Sequence, residues 1–130
     1  MKMDGKSRLI LMNCEAFFRV EKNAQILLDI LCHRNLKISL RSIEKFVTKF
    51  AKTHGTSYVK NVDGKLFQVH IEYKSSLSGY SKKYFDPFCR SQRIKFEVEP
   101  GNVIETTVGQ LNFIKWVIKN GITDLMMASD

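Results

Sequence analysis

The chain has 130 residues, of which 44% are apolar, and its formal net charge is +8. The apolar content excludes a disordered chain, and the low counts of 7 glycines and 2 prolines exclude collagen-like and low-complexity classes. The length predicts a single domain that covers residues 1–130.

The positive charge is concentrated in the first part of the chain. Residues 1–95 carry 19 basic and 8 acidic side chains, whereas residues 96–130 carry 2 basic and 5 acidic ones. A basic body attracts polyanions such as nucleic acid or anionic lipid headgroups, although charge spread over a surface also serves solubility alone. The charge alone therefore leaves both interpretations open, a polyanion partner and simple solubility.

Three cysteines, Cys14, Cys32 and Cys89, are widely spaced and form no Cys-x-x-Cys pair. Their spacing predicts neither a zinc site nor a redox pair, and unpaired cysteines are typical of a reducing compartment. The apolar run at residues 9–12 is too short for a signal peptide, and the sequence has no apolar run of about 18 residues. We therefore expect a protein of the cell interior with no integral membrane segment.

The first predicted elements are an extended segment and two helices. Residues 8–20 are predicted as a strand or an extended segment, and Asn23 can cap a short helix over residues 24–32. A clearer helix follows, because apolar residues recur at helical spacing up to a natural stop at Gly55. Its apolar stripe is Ile43, Phe46, Val47 and Phe50, and its expected cap is Ser39 or Ser42.

Two hairpins are predicted from strand alternation and turn residues. The first joins residues 58–62 to residues 65–74 through Asp63-Gly64, a pair typical of a type I′ turn. The second covers residues 94–106 and turns at Pro100-Gly101, which suits a type II turn. The inward face predicted for the second strand of the first hairpin consists of Phe67, Val69, Ile71 and Tyr73.

The last predicted helix begins at Thr107, where Thr107 and Gln110 match a capping box. It is apolar on most sides, which is typical of a central core helix, and Asn120-Gly121 ends it. Residues 122–128 are predicted as a short edge strand. Together the elements predict the α+β class, with two β-hairpins in a largely antiparallel sheet covered by about three helices.

Residues 75–93 show no periodicity and are predicted as a long loop that interleaves rings and cations. Aromatic rings stack on unpaired bases and cations hold phosphates, so this composition suits single-stranded nucleic acid. The alternative is that the rings only pin the loop to the core while the cations stay solvated. The candidate nucleic-acid-binding residues are Tyr80, Lys82, Lys83, Tyr84, Arg90 and Arg93.

A metal-dependent nuclease would need carboxylates that share a cation. Asp63 and the run Glu72-Tyr73-Lys74 have the required order, and alternate residues of a strand share a face. Nine residues of strand, however, separate Asp63 from Glu72 by roughly 30 Å, which is too far for both to hold one Mg²⁺. No catalytic residue, metal site or cofactor is therefore predicted.

Three stretches of the sequence are distinctive together. They run from Ser39 to Tyr58, from Tyr80 to Arg90 and from Thr106 to Trp116. On these stretches the chain resembles, over roughly residues 36–125, short and largely uncharacterised proteins of nucleocytoplasmic large DNA viruses, the giant viruses. Residues 1–35 carry none of the likeness. The resemblance implies a viral protein made in an infected cell, with viral DNA, RNA or other virion proteins as partners, and it assigns no catalytic residue.

The function expected from charge, rings and this resemblance is that of a non-enzymatic, basic viral binding protein. It would contact nucleic acid or nucleoprotein through residues 75–93, in the reducing interior of the host cell or in the virion. The alternative is a minor structural or interaction component of a virion, and the remote alternative is a small metal-dependent nuclease. The sequence leaves the oligomeric state and the identity of the partner open.

Overall fold

The computed structural model describes residues 3–60 and 63–128, which form helices and two short hairpins. The helical elements are α1 (Gly5–Phe18), α2 (Glu21–Leu31), a 3₁₀ turn (Leu36–Ile38), α3 (Leu40–Lys45), a π-helical turn (Phe46–Phe50), α4 (Ala51–His54), α5 (Val69–Tyr80), α6 (Lys82–Phe85), α7 (Val108–Lys119) and α8 (Ile122–Ala128). The strands are β1 (Ser57–Val59), β2 (Leu66–Gln68), β3 (Ile94–Glu99) and β4 (Asn102–Thr106).

The predicted α+β class with two antiparallel hairpins is confirmed. β1 pairs with β2 and β3 pairs with β4, each as a separate two-stranded sheet. The described residues contain more than the three predicted helices, because segments expected to be extended or irregular are helical.

The strand predicted over residues 8–20 is wrong, since this segment lies largely in α1. Asp4 caps the helix, with its Oδ1 accepting from the backbone N–H of Ser7 at 2.7 Å. The apolar run at residues 9–12 hid the helical pattern, because it mixes the buried Ile10 with Leu9 and Met12, which are 60% and 58% exposed. The buried residues recur at helical spacing and are Ser7, Ile10, Cys14 and Phe18.

The helix predicted from the Ile43 stripe is confirmed as the continuous run α3, π turn and α4. Ser39 caps it at the Ser42 N–H, and Gly55 ends it in the left-handed conformation with φ 59°. His70 joins this run to α5, because its ring Nδ1 lies 3.0 Å from the carbonyl oxygen of Val47 in the π turn. His70 therefore packs one helix against another.

The first hairpin is shorter than predicted. Its second strand stops at Gln68, and α5 begins at Val69, where the sequence predicted a strand to residue 74. Val69 and Tyr73 are buried four residues apart, whereas Ile71 is 57% exposed, so the apolar period is helical.

The predicted type I′ turn is also wrong. Gly64 has a positive φ of 68°, but a two-residue turn at Asp63-Gly64 does not fit the register of the hairpin. Tyr58 pairs with Phe67 and Val59 with Leu66, so the next residues to face each other are Lys60 and Lys65. The Lys60 N–H instead donates to the Lys65 carbonyl and the Gly64 N–H to the Lys60 carbonyl, which closes a longer loop. Residues 61–62, part of the predicted first strand, lie outside the described residues.

The second hairpin and the last long helix are confirmed. Gly101 turns the hairpin with φ 80°, and Thr107 caps α7 by accepting from the Gln110 N–H at 3.0 Å. The Gln110 side chain does not complete the capping box, because it accepts from the Thr106 hydroxyl and donates to the Pro87 carbonyl. The edge strand predicted over residues 122–128 is wrong, since this segment is α8.

The core is centred on α7 and a cluster of aromatic rings. Phe85 and Phe113 are fully buried, with ring centroids 5.6 Å apart, and Trp116 and Tyr73 complete the cluster. In the described part of the chain, no helix has the length and apolarity needed to cross a bilayer.

Candidate nucleic-acid interface

Most of the segment predicted as a long loop is ordered as helix. α5 continues to Tyr80 and α6 covers Lys82–Phe85, so the irregular residues of this segment are Ser81 and residues 86–93. Ser81 joins the two helices with φ 76° and ψ 164°, a backbone conformation that residues other than glycine rarely adopt. The prediction of a loop over residues 75–93 is therefore wrong for its first half.

Side chains of α7 hold α6 and the residues after it by hydrogen bonds to their backbone carbonyls. The Asn112 side chain donates to the Tyr84 carbonyl at 2.9 Å, and the Gln110 side chain donates to the Pro87 carbonyl at 3.2 Å. Gly109 allows the two elements to meet, since a Cβ there would lie 2.8 Å from the Lys83 carbonyl oxygen. The two stretches that carried the resemblance, around Tyr80 and around Thr107, thus pack against each other.

Lys83 and Tyr84 contact Asp4 and Lys6. The Lys83 Nζ lies 3.0 Å from Asp4 Oδ2, and the Tyr84 hydroxyl donates to the same oxygen at 3.2 Å. The Lys6 Nζ lies 4.6 Å from the centroid of the Tyr84 ring, a cation–π contact. These two candidates are therefore partly neutralised or covered, which weakens their case as phosphate and base contacts.

These contacts stabilise the ionised form of Asp4. The Ser7 backbone N–H first, and the hydrogen bond from Lys83 second, hold the pKa of Asp4 well below its usual range. The same contact raises the pKa of Lys83. Asp4 therefore joins the N-terminus of α1 to α6 in its ionised form.

Replacing Asp4 with asparagine keeps a capping side chain and removes the ion pair, so we expect a small decrease in Tm near neutral pH. A carboxylate whose pKa is lowered by folding stabilises the protein above its unfolded pKa, and this contribution is lost as the pH falls. The difference in Tm between the wild type and D4N should therefore shrink below about pH 4. Thermal melts followed by circular dichroism at several pH values test this, and a difference that does not change with pH would contradict it.

Neither Tyr80 nor Lys82 lines the surface depressions that contain Arg90 and Arg93. The Tyr80 ring stacks on the buried Phe85 ring, with centroids 5.7 Å apart, and is 38% exposed. Lys82 is exposed at the start of α6. Tyr80 therefore offers a partly accessible ring that is already packed on one side.

Arg90 and Arg93 lie beside a groove that the sequence did not reveal. The groove has a volume of about 490 Å³, and its lining includes Arg93, Phe88 and Arg41. Phe88 is 51% exposed. An adjoining depression of about 340 Å³ shares Phe88 and Arg93 and adds Arg90. We call the two together the Phe88 groove; its floor and remaining walls include Ile30, Leu31, His33, Leu40, Glu105 and Gln110.

The three arginines of the Phe88 groove keep their charge available. Within residues 3–60 and 63–128, the ion pairs are Arg34 with Asp29 and Lys83 with Asp4, so none involves Arg41, Arg90 or Arg93. Glu105 supplies one carboxylate to the lining. The groove therefore combines three unpaired guanidinium groups with one acid and one half-exposed ring.

Arg41 and His33 are the residues that sequence reasoning missed. Arg41 lies in the helix predicted from the Ile43 stripe but outside that stripe, and His33 directly follows the helix predicted over residues 24–32. Both line the groove with Phe88 and Arg93, which lie about fifty residues further along the chain. No local pattern could have found them, because the contact depends on how α2 and α3 pack beside residues 86–93.

The residues considered for a metal-dependent nuclease do not have the geometry of a nuclease site. Glu72 and Lys74 lie on α5, where residues two apart do not face each other, and Asp63 lies in the turn of the first hairpin. No three His, Cys, Asp or Glu side chains converge as a metal site among residues 3–60 and 63–128. The geometric basis of that hypothesis, a shared strand face, is therefore removed.

Comparison with known proteins places the chain in a family. A family of unknown function, DUF7197, matches residues 1–127. The chain is 37% identical over 128 residues to the "Uncharacterized protein L507" of Acanthamoeba polyphaga mimivirus, which covers 93% of the chain and 49% of that protein. The chain thus spans about half the length of this relative. No solved structure matches the chain.

These findings confirm the resemblance to giant-virus proteins and correct its extent. The likeness was predicted for residues 36–125, yet the family match begins at residue 1 and therefore includes α1 and α2. The chain belongs to DUF7197, a family of unknown function.

Proposed function

We propose that the protein binds single-stranded nucleic acid in the Phe88 groove. The observation that carries the proposal is the convergence of Arg41, Arg90 and Arg93, from two separate parts of the chain, around a half-exposed phenylalanine ring. Cations that follow a phosphate backbone beside a ring on which bases stack are the usual means of binding single strands.

Arginine suits this role better than a general positive charge would. Its planar guanidinium group contacts two phosphate oxygens at once and also stacks on bases. The absence of ion pairs at Arg41, Arg90 and Arg93 among the described residues means that binding a phosphate breaks no existing salt bridge there. The overall charge of +8 adds long-range attraction.

The Phe88 ring supplies the preference for single strands. Base–aromatic stacking contributes about 1–3 kcal/mol per base, but only when the base is not already paired and stacked in a duplex. The proposed ligand is therefore unpaired DNA or RNA, and a viral nucleoprotein with exposed single strands is included. Weak binding to blunt duplex DNA of the same length is expected.

The test is binding of a fluorescent oligo(dT) of about 15 nucleotides, followed by anisotropy between about 50 and 200 mM salt. Affinity should fall steeply as salt increases, because counterions are released from the strand. The double variant Arg41→Gln/Arg93→Gln should lower the affinity at low salt by about tenfold or more and reduce the salt slope by about 1–2.

The matched control removes two charges elsewhere. Lys49 and Lys119 are exposed and do not line the groove, so Lys49→Gln/Lys119→Gln should change the affinity much less. Equal losses in both double variants would mean that net charge alone is responsible. Absent or salt-independent binding would refute the proposal and, together with abundance in purified virions, would favour a structural role in the particle.

A further inference from the structure

His33 ends α2 in a conformation that histidine rarely adopts. Its φ is 56°, in the left-handed region, and the N–H of the next residue, Arg34, donates to the Asp29 carbonyl at 3.0 Å. This bond is typical of a helix end at which the position of His33 is usually occupied by glycine. The backbone is therefore strained at this residue.

The turn is held by contacts that do not involve the imidazole ring. Arg34 forms an ion pair with Asp29 at 2.9 Å and donates to both the backbone and the side-chain oxygens of Gln25. These contacts fix the direction in which the chain leaves α2. The His33 side chain is exposed and lines the Phe88 groove.

Strain alone does not distinguish His33 from the other strained residue of this type. Among the described residues, the non-glycine positions with positive φ are His33 and Ser81. Ser81 lies between α5 and α6 and does not line the groove, whereas His33 does. The position in the groove therefore makes His33 a candidate for ligand contact and makes Ser81 its control.

The chemistry of the lining separates a place for the base from a place for the phosphates. Glu105 would repel a phosphate inside the groove, and the half-buried side chains of Leu31 and Leu40 offer apolar surface that suits a base. Arg41 and Arg93 carry the positive charge of the lining. A strand would therefore hold its phosphates on the arginines and insert a base between apolar walls.

We propose that His33 contacts the inserted nucleobase, with the planar imidazole ring and the Phe88 ring as the two flat surfaces that a base meets. This inference rests on the proposed function, because it names the part of the ligand that the same groove recognises. It explains why a histidine occupies position 33, where glycine would be more stable: the imidazole ring contributes to binding in the groove.

The test compares His33→Gly with the wild type on two probes and in thermal melts. Glycine relieves the strain, so the Tm should increase by roughly 2–6 °C. The affinity for oligo(dT) should fall by about fivefold or more, while the affinity for an abasic oligonucleotide of equal length should stay unchanged. Ser81→Gly, the control, should increase the Tm and leave both affinities unchanged.

The outcomes separate this inference from the proposed function. Wild-type protein that binds no oligonucleotide overturns both. Suppose that the wild type binds and that His33→Gly binds oligo(dT) equally well, or that its affinities for oligo(dT) and for the abasic oligonucleotide fall by the same factor. Either result refutes the base contact and leaves the proposed function of the groove standing. A lower Tm for His33→Gly would show that the imidazole ring stabilises the fold and would also refute the inference.

Discussion

Replacing Phe85 with alanine is expected to destabilise the protein by about 3–5 kcal/mol, a large part of the roughly 5–15 kcal/mol by which native proteins are stable. The Phe85 ring is fully buried, and its centroid lies 5.6 Å from Phe113, 5.6 Å from Trp116 and 6.0 Å from Tyr73. Removing it leaves a cavity that the neighbouring rings cannot fill without shifting the helices that carry them. Urea denaturation followed by tryptophan fluorescence, with the midpoint compared at a constant slope, measures the loss.

Phe88, three residues further along, provides the matched control. Its ring is 51% exposed, so Phe88→Ala should cost little stability. The same change should weaken oligonucleotide binding, since the ring is the proposed stacking surface. A large loss of stability in F88A, or a small one in F85A, would contradict the assignment of Phe85 to the core and Phe88 to the surface.

Gly109→Ala is expected to destabilise the fold by about 1–3 kcal/mol, although alanine is the better helix former. A Cβ at Gly109 would lie 2.8 Å from the Lys83 carbonyl oxygen and 3.3 Å from the Phe85 amide nitrogen. Both atoms are backbone, so a side-chain rotation cannot relieve the clash and α6 must shift. The shift would also disturb the bond from Asn112 to the Tyr84 carbonyl, and chemical denaturation of the variant measures the result.

Gly79→Ala makes the same chemical change in a helix where there is room. A Cβ at Gly79 would have no neighbour within 4 Å, so the change should stabilise α5 by about 0.5–1 kcal/mol. Opposite signs for G79A and G109A would show that close packing of α6 on α7 is the cause. If G109A were as stable as G79A, the close approach would be refuted.

The sequence predicted the candidate site only in part. It identified Arg90 and Arg93 and the alternation of rings and cations, because those residues are neighbours in the chain. It could not separate Lys83 and Tyr84, which Asp4 engages, from the two arginines beside the Phe88 groove. Nor could it find Arg41 and His33, because sequence distance gives no information on which helix end packs beside a later loop.

The elements that the sequence alone determined are those with strong local signals: the Ile43 stripe up to Gly55, the hairpin that turns at Gly101, and the Thr107 cap of α7. Local hydrogen bonds and backbone preferences decide such features, so they are visible in a few adjacent residues. Tertiary structure decided the rest. Segments with ambiguous apolar spacing, such as residues 8–20 and 69–80, became helices because burial against α7 and its neighbours selected one face. The groove likewise exists only in the folded protein, because its walls come from α2, α3 and residues 86–93, which are far apart in the sequence.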